Sequence, residues 1–141
     1  MMSATPTQIA IAYGASLVFM LVVDALWLTV LMGSTYKSYL GPLMLAQPKL
    51  VPAAVFYLLF PVGLVVFGIL PGLAAQDWTR AAMLCALFGL IAYATYDLSN
   101  LATLKDWPLP LTVIDICWGT VLSGAAGTVG FIAARAWGNA H

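Results

Sequence analysis

QIAIAYGASLVFMLVVDALWLTVLM, residues 8–32, decides the class of this chain. It carries one charged residue, Asp24, in a run longer than the roughly 20 apolar residues that cross a bilayer as a helix. Three more stretches are long and mostly apolar, with no more than two charged residues each, at about residues 51–73, 78–101 and 110–136. The reading is all-α: an integral membrane protein, built as one antiparallel four-transmembrane-helix bundle over residues 1–141. A transmembrane barrel needs segments of about ten residues with alternating polarity. The run Leu64-Val65-Val66-Phe67-Gly68-Ile69-Leu70 does not alternate. No basic residue precedes the first stretch and its apolar run is too long for a signal peptide, so it reads as a retained helix.

Composition agrees. Hydrophobic residues make up 63% of the chain and charged residues 7%. A soluble domain carries about 25% charged residues, enough to coat a wet surface. The mean hydropathy is +1.00. The acids are Asp24, Asp77, Asp97, Asp106 and Asp115; the bases are Lys37, Lys49, Arg80, Lys105 and Arg135. The net charge of zero argues against nucleic acid as a partner and leaves the lipid bilayer as the expected surroundings. The single histidine, His141, is terminal and cannot build a metal or haem site; no cofactor is expected. Cys85 and Cys117 fall in opposite halves of neighbouring spans, too far apart for a disulfide, and read as small buried residues.

Three of the five aspartates lie inside predicted spans, where a carboxylate costs roughly 2.5–3.5 kcal/mol. Helical rise puts Asp24, Asp97 and Asp115 about 6–12 Å below one surface, the side of the two lysine-bearing connections. On the third span, Ala82, Ala86, Gly89, Tyr93, Asp97 and Asn100 recur at helical spacing; on the fourth, Thr112, Asp115, Gly119, Ser123 and Gly127 do. Small residues let membrane helices approach, so both aspartates share a face with a packing seam. The expected site is one acidic, aromatic-rimmed cavity lined by Asp24, Trp27, Tyr93, Tyr96, Asp97, Asn100, Asp115 and Trp118. Taken singly, Trp27, Trp107 and Trp118 suit interface anchoring better than ligand contact, and Lys105 a snorkelling role rather than a catalytic one. The second span has no charge and reads as a wall, with Tyr57 its main polar group and a kink expected at Pro61. Residues 33–50 read as an interfacial loop.

The run Tyr93-Ala94-Thr95-Tyr96-Asp97-Leu98-Ser99-Asn100-Leu101-Ala102-Thr103-Leu104-Lys105-Asp106-Trp107-Pro108, with Asp115-Ile116-Cys117-Trp118-Gly119 and Asp24-Ala25-Leu26-Trp27-Leu28, resembles the bacterial membrane-protein family called domain of unknown function 2177. The resemblance covers essentially the whole chain. It implies four spans and no assigned activity, and it carries over no site residues.

Several classes of function stay open on the residues. The three acids can be structural glue, each membrane hydrogen bond being worth about 0.6 kcal/mol. Intramembrane ionisable groups are functional by default, however. A cavity of this kind can bind or transport a small hydrophobic or cationic ligand, or a proton. Alternatively it is a membrane-embedded enzyme site acting on a lipid or isoprenoid-type substrate by carboxylate acid/base chemistry, or part of an accessory subunit. No nucleophile motif or cofactor fingerprint accompanies the acids, so binding or transport leads. A homo-oligomer fits the small-residue stripes. Expected placement is multi-pass in the cell inner membrane with both termini on one side; three bases against two lean toward termini outside the cytoplasm.

Overall fold

The computed structural model describes residues 4–45, 47 and 49–138; His141 lies outside them. Thr5 opens the first span. Its hydroxyl oxygen accepts the Gln8 N–H at 3.0 Å, and the Gln8 side chain accepts the Thr5 N–H at 3.0 Å. Pro6 follows in the first turn, where a missing N–H costs nothing. Helix α1 (Pro6–Leu26) continues into a widened π-turn, Trp27–Leu31.

The chain then turns sharply into α2 (Gly33–Leu40). A Cβ on Gly33 would stand 2.5 Å from the Leu28 carbonyl oxygen, so bare backbone permits this turn. Gly41, at φ 48°, ends α2 in the left-handed region. The segment read as an interfacial loop therefore contains a two-turn helix. Periodicity over so few residues is too weak to announce it.

The second span joins α3 (Leu50–Leu64), a π segment (Val65–Ile69) and α4 (Leu70–Ala75). The irregularity sits at Val65–Ile69, after the expected kink site: the α-helix runs through Pro61. Pro71 follows at once, in the first turn of α4. The ladder loses a donor there in any case, so widening just before it costs little. Gln76 (φ 54°) reverses the chain, and Asp77 caps α5 (Trp78–Thr103). After a short connection comes α6 (Leu109–Gly138).

Four helical stretches, Pro6–Leu31, Leu50–Ala75, Trp78–Thr103 and Leu109–Gly138, are long and apolar enough to cross a membrane. Among the described residues there is no strand. Polar groups within the spans mostly satisfy themselves. The hydroxyls of Ser16, Thr29, Thr95, Thr120 and Thr128 each donate to the carbonyl four residues back. Lipid supplies no partner, so this local closure is what makes them tolerable.

Small residues set the spacing. Gly89 lies against Ser123, Gly124 against Ala86, and Gly127 against Cys85. Numbers that rise along α5 fall along α6, so this pair runs in opposite directions. Gly130 meets Ala12 and Ser16 of α1, and Gly138 meets Gln8. Between the helices Met20, Leu64, Ile69, Leu122 and Phe131 are fully buried. Both cysteines are free. Cys85 is buried with its thiol 3.5 Å from the Leu64 carbonyl. Cys117, expected to be buried, is exposed. It precedes Trp118 by one position, and one residue rotates a helix by about 100°, away from the face Trp118 occupies.

Candidate functional site

Asp24 lies in the last turn of α1 with its carboxylate turned into the bundle, 6% exposed. Two donors hold it: the Tyr57 hydroxyl of α3 on one oxygen and the Trp118 indole N–H of α6, at 3.0 Å, on the other. Trp118 lies flat on Trp27, with ring centroids 4.0 Å apart and planes within 3°. The π-turn begins at Trp27. Its indole N–H donates to the Tyr36 hydroxyl at 3.0 Å, and Tyr36 donates to Asp115 Oδ1 at 3.1 Å. Asp115 in turn interacts directly with the carboxyl of Asp97 on α5. One continuous chain of contacts thus runs from Tyr57 to Asp97 through α1, α2 and α6.

These groups border two adjoining spaces. The inner chamber, about 450 Å³, has twelve lining residues, of which eight are aromatic. Tyr93 stands on Gly119, where a Cβ would collide with its ring, and Phe60 meets Tyr93 edge-on at 5.9 Å. Among the described residues, Asp24 and Asp115 are the charged ones that line the chamber. The outer vestibule, about 1010 Å³, lies under α2 and takes in Asp97, Asp115, Lys37, Lys49 and Trp107. Leu28, Tyr36, Tyr96 and Asp115 border both spaces and form the neck between them.

Tyr36 lies outside the spans. Burial pushes its hydroxyl above the usual tyrosine range; the hydrogen bond from Trp27 opposes this, and the nearby charge of Asp115 adds to it. It therefore stays a proton-bearing donor at the neck.

The expected residues divide as follows. Asp24, Trp27, Tyr93, Tyr96, Asp115 and Trp118 line the inner chamber. Asp97 borders only the vestibule, so the acids occupy two adjoining spaces rather than one. Asn100 lines neither and sits beside Tyr96. Trp27 and Trp118 pair inside the bundle instead of standing separately as interface anchors. Tyr57 belongs to the site and not merely to a wall. The sequence reading leaves it out of the cavity, although a lone hydroxyl-bearing ring in an uncharged span is a signal that could have placed it there. Tyr36 had no such signal, because its place depends on α2 folding back under the neck. Among the described residues no three of His, Cys, Asp and Glu are grouped to hold a metal ion.

No curated protein and no solved structure matches the chain. A family model described as "Predicted membrane protein (DUF2177)" matches residues 9–132. With nearly the whole chain matched, including every residue of the chamber and vestibule, the protein belongs to the DUF2177 family of predicted membrane proteins.

Proposed function

We propose that the inner chamber binds a small organic cation. One observation carries this: Asp24 is oriented by two neutral donors among aromatic rings, with no basic side chain lining the space. Tyr57 and Trp118 each donate a hydrogen bond to this carboxyl but bring no positive charge. A buried charge without a counter-ion is costly, so a cationic ligand completes the arrangement. Aromatic faces attract ammonium groups by roughly 0.5–2 kcal/mol each, most strongly where water is excluded. The volume of about 450 Å³ lies within the range of roughly 300–1,000 Å³ that suits small-molecule sites.

The test is titration of detergent-purified protein with benzyltrimethylammonium, followed by tryptophan fluorescence, since Trp27 and Trp118 face the ligand. The wild type should show saturable quenching. Asp24→Asn should keep the fold and weaken binding at least about tenfold, a loss of about 1.4 kcal/mol. Neopentylbenzene supplies the same shape without the charge. Equal affinity for this neutral analogue would assign the chamber to apolar ligands and overturn the cationic reading.

A further inference from the structure

A cation in the chamber leaves Asp97 unexplained. Asp97 is 0% exposed, and neither of its carboxylate oxygens has a hydrogen-bond donor among the described residues. The hydroxyls of Thr95 and Thr112 donate within their own helices, to the carbonyls of Ile91 and Pro108. What Asp97 does meet is a second carboxyl, that of Asp115, one of whose oxygens already accepts from Tyr36. Two facing carboxylates with no donor between them repel, and a proton held between them removes the repulsion and supplies the missing donor together. The other titratable or charged groups facing the pair are Tyr36 and Lys37 from α2, Lys49 ahead of α3 and Tyr96 on α5. The charge of Asp24 on α1 acts on Tyr36.

We propose that Asp97 and Asp115 share one exchangeable proton, and that Asp115 links its departure to entry of a cation into the chamber. Asp115 borders both spaces, so a cation beside it favours the doubly ionised pair, and the proton leaves through the vestibule to water. One positive charge enters and one departs, so the site's net charge is unchanged. The exchange rests on the cation reading of the chamber; the shared proton does not.

Two measurements separate these parts. Infrared spectra of the ligand-free protein at neutral pH should show the carbonyl stretch of a protonated carboxylic acid. The band should vanish in Asp97→Asn, fall away in Asp115→Asn and persist in Asp24→Asn. Absence of the band in wild type, or its survival in both pair variants, overturns the shared proton. So does its loss on adding magnesium chloride at constant pH, which would make the pair a metal site.

Proton release is then followed in weakly buffered detergent solution as benzyltrimethylammonium is added. Wild type should release about one proton per cation bound, and its affinity should rise by up to about tenfold per pH unit. Asp97→Asn should still bind the probe and release none. Binding without release in wild type, or equal release from Asp97→Asn, overturns the coupling. If wild type fails to bind the probe, the chamber reading and the exchange fall together, and the infrared result decides the shared proton alone.

Discussion

The same helices build two unlike halves. Toward Gln8 and Gly138, α1, α5 and α6 close on one another through glycine, alanine and serine, with Gly130 on Ala12 and Gly127 on Cys85. Toward α2 they separate around rings and carboxyls. The change falls at Gly119. Before it on α6 stand Asp115 and Trp118, which line the chamber; after it come the glycines that allow contact. A bilayer gives no hydrophobic drive for helix association, so close approach must supply the dispersion energy. The seam thus holds the helices while the other half stays open around an aromatic cavity that holds two carboxyls.

The sharpest way to break this comparison is a methyl group in the seam. A Cβ on Gly89 would stand 2.5 Å from the Gly119 carbonyl oxygen, a backbone atom that cannot rotate away. Gly89→Ala should destabilise by about 1–3 kcal/mol, the usual penalty for overpacking, and lower the thermal unfolding temperature in detergent. Gly14 has nothing within 4 Å of an added Cβ, so Gly14→Ala should be neutral or stabilising. Equal melting of Gly89→Ala and wild type would show that the seam is not what holds the bundle.

The seam was far more legible in the sequence than the site. Ala82, Ala86 and Gly89 repeat at helical spacing opposite Gly119, Ser123 and Gly127, and spacing alone assigns them to one face. The common depth of three aspartates likewise follows from helical rise. Sequence spacing cannot say which acid meets which partner, because that depends on how helices rotate against one another. Asp97 and Asp115 fall together while Asp24 is taken by Tyr57 and Trp118. Residues outside the periodic stretches were hidden most completely. Tyr36 reaches the neck through a π-turn, a sharp reversal at Gly33 and a two-turn helix, none of which has a strong pattern of its own.

Within the open half, a milder change sharpens the roles of the two donors on Asp24. Tyr57→Phe removes one hydroxyl and leaves the ring in the chamber wall. Trp118 still holds the other oxygen. A polar side-chain contact in a membrane protein is worth about 0.6 kcal/mol on average. Affinity for benzyltrimethylammonium should therefore fall only about threefold, with the neutral analogue unaffected. A loss as large as that of Asp24→Asn would mean that Tyr57, and not the carboxylate charge, governs the cation.

The smallest effect belongs to the closed end, at a carboxylate that lies outside the spans. Asp77 is fully exposed and caps α5 by accepting the Thr79 N–H at 3.0 Å and the Thr79 hydroxyl at 2.6 Å. The hydrogen bond from the Thr79 side chain holds its carboxyl below the ordinary aspartate value of 3.8; slight desolvation opposes this, and the Thr79 and Arg80 backbone and the Arg80 charge support it. The sign follows directly. A carboxyl whose folded value is depressed contributes stability that is fully present above the unfolded value and is lost as pH falls through the folded one. Asp77→Ala should therefore melt slightly below wild type at neutral pH, and the gap should close in acid below pH 3.8. Binding of benzyltrimethylammonium should not change, because the cap and the chamber lie at opposite ends of α5. A gap that persisted undiminished in acid would show that the ionised cap is not its source. Weakened binding would show that the two halves are not mechanically separate.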